Sequence, residues 1–395
     1  MIYLDNSATT RPCAAAVAGA RRAMEESWHN PSALYGLAVD AEREMASVRA
    51  RIARAVGARA QDVVFTAGGT EADSLALLGS AARWRGARRV LLFAGEHPAV
   101  LGARAQLEAM GHTVQTFPAG PDGVADLDAL SALLDEDVAL VSCMQVNNET
   151  GAVQPTARIR ALMREKCPDA LLHVDGVQGF LRLPSALTQT GADLYCLSAH
   201  KIHGLKGVGA LVLRQGVPIS PRVAGGGQER GLRSGTENTC GIAALGAALS
   251  WAEEQAGAAQ RLREMKLRLY DLLRAGADDL HVNGPDPRAD TAAPHILNLS
   301  FPGVGGEVML HALEAEGVLV GTGSACSSKK REMRSAFQAM NAPRWAAESA
   351  VRFSLGLLNT PEEMDRAAEA ALRCFATYRR CQRRAYARNT AGSLR

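Results

Sequence analysis

LLHVDGVQG, residues 171–179, holds the pattern that decides the fold. LLHVD is an extended, largely apolar run with no alternation of polar and apolar residues, as in a strand buried on both faces of a parallel sheet. It ends in an acid, Asp175, followed by a glycine turn. Ligands bind outside the carboxyl ends of such strands, so Asp175 stands where a cation would find it. An ionised carboxylate is costly there unless it meets such a partner; capping the next turn is the other role open to it.

Outward from this run the pattern repeats. DVVFT (62–66), RVLLFA (89–94), HTVQTF (112–117), VALVSCM (138–144), ADLYCLS (192–198) and GALVLR (209–214) read as strands, with helical segments between most of them. The alternation predicts an α/β fold with a mainly parallel, seven-stranded sheet covered by helices. GIAALGAALSWAEEQAGAAQRLREMKLRLYDLLRAGA (241–277) has a near-continuous helical period and reads as one helix long enough to bridge two domains. HILNLSF (295–301), GVLVG (317–321) and AVRFSL (350–355), with helices near 306–316 and 361–380, predict a smaller α+β unit. The expected division is a large domain over 14–255 and a small one over 256–395, with residues 1–13 packing on the small one.

The 395 residues are 47% hydrophobic and 22% charged, with a formal net charge of +3. That charge calls for no polyanionic partner, and direct nucleic-acid binding is not expected. The opening MIYLDNSATTRP lacks a leader pattern, and no stretch approaches the ~20 apolar residues that span a bilayer. A cytoplasmic protein without membrane contact is expected. Its eight cysteines lie far apart, with no CxxC pair and no zinc-ligand spacing, so no metal is expected.

Three motifs carry chemistry. TAGGTEADSLALLG (66–79) follows a strand and opens a helix; Gly68 and Gly69 permit close backbone approach, and Thr70 with the first helical N–H groups forms a cup for an anion. A glycine turn capped by Thr and Glu explains the same residues without a ligand. Asp175 is the second. Lys201, in LYCLSAHKIHGLKGVGA (194–210), is the third: it follows an apolar strand end and is flanked by Ser198, His200 and His203. Desolvation there lowers a lysine's pKa and readies it to form a Schiff base. Lys206 is its rival, although the adjacent glycines favour a turn. A phosphate cup, an acid for a pyridinium nitrogen and a Schiff-base lysine together describe pyridoxal 5'-phosphate (PLP).

The chain resembles the NifS/IscS-type cysteine desulfurases, fold-type I PLP-dependent transferases of the class V aminotransferase family. The likeness is carried by YLDNSATT (3–10), NPS (30–32), TAGGTEADSLAL (66–77), EHPAV (96–100), VNNETGAVQP (146–155), HVDGVQG (173–179), SAHKIHGLKGVGAL (198–211), GGGQERGLRSGTEN (225–238), GSACSS (323–328) and VRFSLG (351–356). The resemblance implies that Lys201 binds PLP and Asp175 pairs with its ring nitrogen. It places Gln178 by the phenolic oxygen, His97 over the ring as acid/base helper, and Gly69, Thr70, Ser198 and His200 around the phosphate. Thr236 would reach the phosphate from the other subunit of a homodimer. Asn148, Arg352 and Asn30 would hold L-cysteine, Arg352 by its carboxylate. Cys326 would take the sulfur as a persulfide and pass it to an acceptor, such as an iron–sulfur scaffold or a tRNA thiolation enzyme.

Small departures from the family pattern stand at Tyr35, at Leu205 and in REMRSAF (331–337). Lys329, Lys330 and Arg331 follow Cys326 and either favour its thiolate or form a solvated, partner-facing tip. The acid-free tail 373–395 reads as a frayed terminus, or as a segment that docks an acidic partner or touches RNA, and Cys374 and Cys381, about two helical turns apart, as structural or incidental.

Overall fold

The computed structural model describes residues 1–84, 86–322 and 335–392, with backbone alone at 335 and over 380–392. Cys326, Lys329, Lys330 and Arg331 lie outside the described residues.

The strands are β1 (Ile2–Leu4), β2 (Val63–Thr66), β3 (Arg89–Phe93), β4 (Thr113–Phe117), β5 (Val138–Ser142), β6 (Leu171–Asp175), β7 (Leu194–Ser198), β8 (Gly209–Leu213), β9 (His281–Val282), β10 (Ile296–Ser300), β11 (Val318–Val320) and β12 (Ala350–Ser354). Seven of them, in the order β2-β8-β7-β6-β5-β3-β4, form one sheet. Only β8 runs against its neighbours. The centre of the sheet is buried on both faces, whereas β4, at one edge, alternates exposed and buried positions. Apolar clusters fill both faces: one gathers Leu91, Val141, Leu172 and Tyr195, the other Leu75, Leu92, Leu140 and Leu211.

The longer helices are α1 (Ala14–Glu25), α2 (Gly36–Val56), α3 (Gly69–Ala81), α4 (Thr156–Lys166), α5 (Thr239–Glu253), α6 (Ala258–Gly276), α7 (Gly306–Ala315) and α8 (Pro361–Gly392). The single helix expected over 241–277 is two. The break falls at residues 254–257, where Gly257 takes a left-handed φ of +68° and precedes the first residue of α6. A third cluster packs α6, α7 and α8 on β10, β11 and β12, and it includes Ile2 and Leu4 because β1 pairs in parallel with β11. No helix among the described residues is long and apolar enough to cross a membrane.

One ion-pair node anchors the end of the large sheet away from Asp175. Asp193, fully buried just before β7, pairs with Arg160 of α4 and Arg214 after β8. It also accepts from the Leu172 N–H at 2.7 Å, clamping β6. Asp193→Ala leaves the buried Arg160 uncompensated, and an expected loss of about 3–5 kcal/mol is measurable by denaturant unfolding.

Candidate active site

Asp175 and Ser198 end the parallel neighbours β6 and β7, so both stand at one edge of the sheet. The chain then makes a single 3₁₀ turn, Ala199–Lys201, which carries His200 and Lys201 over that edge. The Lys201 ammonium donates to the carbonyls of Ser7 (2.5 Å) and Ala8 (2.9 Å) and is bonded to no carboxylate among the described residues. Burial, assisted by Arg352 and Arg182, lowers its pKa to about 8. Burial and the charge of Asp73 raise Asp175 to about 6, opposed by His97 and by the Val177 N–H, which donates to its Oδ1 at 2.9 Å.

The lysine's shift makes a testable difference from an ordinary side chain. In cofactor-free protein, acylation of Lys201 should rise roughly tenfold per pH unit and level off near pH 8, whereas exposed lysines level off near ~10.4. Peptide mapping of the labelled protein across pH reads this directly; a plateau no lower than that of exposed lysines contradicts it.

His97 caps a short helix, Pro98–Leu101, its Nδ1 accepting from the Ala99 N–H at 3.1 Å. A neutral ring therefore carries its proton on Nε2. Burial lowers its pKa, and Lys201 adds to this while Asp175 opposes it. Gln178, three residues beyond β6, donates to the Ser7 carbonyl at 3.0 Å and lies 3.3 Å from His295 Nε2.

The cup is a cavity of about 800 Å³ lined by Gly68, Gly69, Thr70, Ser198, His200 and Arg233, among others. Gly68 has φ +152°, and a Cβ on Gly69 would come within 2.9 Å of Val177 Cγ2, so the backbone approaches too closely for a side chain. Ser198 Oγ is buried without a hydrogen-bond partner among the described residues. His200 Nδ1 is 3.1 Å from Thr9 Oγ1, and burial lowers its pKa to about 4. An orphaned hydroxyl, a helix start and a backbone approach fit a phosphate group.

Arg352 reaches the same region from β12. Its guanidinium donates to Asp5 Oδ1 at 2.6 Å and to the Asn148 carbonyl at 2.9 Å, while its buried Nε has no partner among the described residues. Arg352 and Lys201 are thus joined through the segment 5–8, which also receives Gln178.

Two expected residues do not line this cup. Asn30 is exposed, its amide oxygen accepting from Ser32 N at 2.9 Å in a local turn. Thr236 is exposed on the loop before α5 and is not among the residues lining the cup. The motif reading gave two further residues no role. Asp5, the partner of Arg352, lies 347 positions away and gives no local signal. His203 has a left-handed φ of +64°, donates from Nδ1 to the Arg11 carbonyl at 2.8 Å and accepts from Leu357 N at 3.1 Å. It ties the lysine turn to both distant segments.

Residues 2–367 match the aminotransferase class-V family model. A cysteine desulfurase IscS from Dictyoglomus turgidum is 35% identical over 366 residues, 92% of each chain. A cysteine desulfurase from Cereibacter sphaeroides is 39% identical over 371 residues, 93% of this chain and 94% of that one. The solved structure of a NifS-like protein superposes with a TM-score of 0.87 at 33% identity, covering 95% of this chain and 99% of the other. The likeness thus takes in both the sheet end that carries Lys201 and the distant strand that carries Arg352, and it places this chain among the NifS/IscS-type cysteine desulfurases of the class-V aminotransferase family.

Proposed function

We propose that this chain uses PLP to convert L-cysteine to L-alanine, with the sulfur passing to Cys326 as a persulfide. The observation that carries the reading is Lys201: a buried amine with a lowered pKa, bonded to no carboxylate among the described residues, at the sheet end that Asp175 also occupies. Lys201 would hold the cofactor, with Asp175 at its ring nitrogen, Gln178 at its phenolic oxygen, His97 over its face, and Gly69, Thr70, Ser198 and His200 at its phosphate. When bound, PLP supplies an electron sink that makes the Cα proton acidic and the Cβ–S bond labile.

The protein's own groups do the rest. Arg352 offers its unpartnered Nε to the substrate carboxylate beside Asn148, and Asn30 belongs to the same substrate set. Lys201, neutral above about pH 8, moves the Cα proton, and His97 presents an Nε2 proton. The Cys326 thiolate attacks the substrate Sγ; the S–S bond forms as Cβ–S breaks, and the electron pair left on Cβ takes up a proton. Cysteine and thiol thus become alanine and persulfide, with no outside oxidant.

The active form in this reading is a cytoplasmic homodimer in which exposed Thr236 completes the partner's phosphate cup, with the domains divided at about residue 255. The persulfide would serve an iron–sulfur scaffold or a tRNA thiolation enzyme. Purified protein incubated with PLP and L-cysteine, assayed together for alanine and protein-bound sulfane sulfur, tests the reaction. Equal amounts of both are expected in the first turnover, with the bound sulfur lost in Cys326→Ala. Bound PLP without alanine would overturn the reading.

A further inference from the structure

The end of the large sheet opposite Asp175 carries a second cavity, of about 500 Å³, that the proposed chemistry does not use. Clefts of about 300–1,000 Å³ are the size that holds a small-molecule ligand. This one opens where β6 and β7 begin and β8 ends, so the strands themselves separate it from Lys201.

Four arginines line it, brought together from three parts of the chain. Arg160 and Arg164 stand one turn apart on α4 and share a face. Arg59 comes from the turn between α2 and β2, and Arg214 follows β8. The chain's small net charge gives no sign of this cluster, because the arginines meet only in the fold. Two carboxylates stand against the four guanidinia. Asp62, in the lining, is taken by Arg59 in a two-pronged pair at 2.6 and 2.8 Å. Asp193, buried behind the cavity, is shared by Arg160 and Arg214. Arg164 is exposed and has no bonded partner among the described residues. These groups together leave two positive charges in excess.

Arg160 bears the strain of that excess. It is 8% exposed and cannot swing away, since its Nε donates to the Gly191 carbonyl at 2.9 Å and its Nη1 to the Ala170 carbonyl at 3.3 Å. Gly191 packs on its stem so closely that an added Cβ would come within 2.6 Å of Arg160 Cβ. Burial, with the charges of Arg214 and Arg164 added, lowers the pKa of Arg160 to about 10. An anion among these guanidinia would offset their repulsion.

We propose that this cavity binds a small molecule carrying a diphosphate group, with Arg160 at its floor and Arg59, Arg164 and Arg214 around it. Guanidinium forks match phosphate oxygens two at a time. Two charges in excess suit a ligand of charge −2 or more better than a monocarboxylate. The cavity has room for more than a lone phosphate ion, and Pro168, Leu187 and Ala192 give it an apolar lining for the rest of the molecule. A nucleoside diphosphate has this make-up.

Calorimetric titration of the PLP-loaded, full-length protein with ADP, pyrophosphate and adenosine tests the proposal. Loading fills the phosphate cup, so added phosphates report on the second cavity. ADP and pyrophosphate should each bind at one site per chain and weaken as salt is raised, and adenosine should show no binding. Arg164→Ala should weaken both by roughly 10- to 150-fold, the worth of one hydrogen bond to a charged group. It should unfold at the same denaturant concentration as the unsubstituted protein, because Arg164 holds no neighbour in place. Arg344→Ala, in the Arg344–Glu348 pair of the small domain, should bind as tightly as the unsubstituted protein. No saturable binding, undiminished affinity in Arg164→Ala, an equal loss in Arg344→Ala, or bleaching of the cofactor's colour by ADP, which would put the ligand in the phosphate cup, would each overturn the proposal. The titration needs no turnover, so missing desulfurase activity would sink the proposed function and leave the diphosphate site standing, and a missing site would do the reverse.

Discussion

Lys201→Ala is expected to lower alanine production by about 10⁴-fold, the upper end of what a positioned proton-transfer group contributes. The loss should exceed that of any other single change to the sheet end, because one amine is asked both to hold the cofactor and to move the Cα proton. Its surroundings explain why no neighbour can substitute. Lys206 lines the cup next to Gly207, Arg182 bonds the carbonyls of Gln178 and Lys201, and Arg352 is held by Asp5 and the Asn148 carbonyl. The fold should survive, since among the described residues the ammonium is bonded only to the backbone of Ser7 and Ala8. The variant should also lose its yellow colour on dialysis. Single-turnover alanine measurement with added PLP separates the two roles: activity restored to within tenfold by excess cofactor would show that Lys201 holds the cofactor but moves no proton.

The second large effect falls on Arg352. Arg352→Ala should cost about 2–5 kcal/mol in kcat/KM for L-cysteine, roughly 30- to 4,000-fold, as for truncating one partner of a buried charge pair. Arg352→Lys should recover little. An ammonium cannot keep Asp5 and the Asn148 carbonyl on one edge of a planar fork and still present a further N–H to the substrate. Measuring kcat and KM separately discriminates the roles. A rise in KM with little change in kcat marks lost substrate binding, whereas an unchanged KM would remove Arg352 from the substrate site.

The strands of the large sheet were legible because burial on both faces writes itself as unbroken apolar runs; β6 and β7 are the plainest cases. Lys201 and Asp175 were legible for the complementary reason, as charges placed where such runs end. The break at 254–257 was not, because alanines and glutamates keep a helical period while Gly257 turns the chain. Asp73 was hidden differently: within ADSLALLG it looks like one polar position on an amphipathic helix, but α3 is buried nearly all round. The side chains it lies against, His173 and Cys196, come from β6 and β7, and no spacing along the chain encodes that. Asp5 and His203 share this property, since their meaning lies in contacts with residues 352 and 357.

Those contacts bear on how the enzyme comes into being. The carbonyls of Ser7 and Ala8 that hold Lys201 belong to a segment fixed by Arg352 and by Ser354, whose Oγ accepts from the Ser7 N–H at 2.8 Å. During synthesis the large sheet can assemble as soon as β8 leaves the ribosome, with Gln178 and Lys201 already there to meet the Ser7 and Ala8 carbonyls, but the bonds from Arg352 and Ser354 wait for β12. Pairings so far apart in sequence form late. The nascent chain therefore carries the lysine platform without its Arg352 anchor for the time taken to make about 140 further residues.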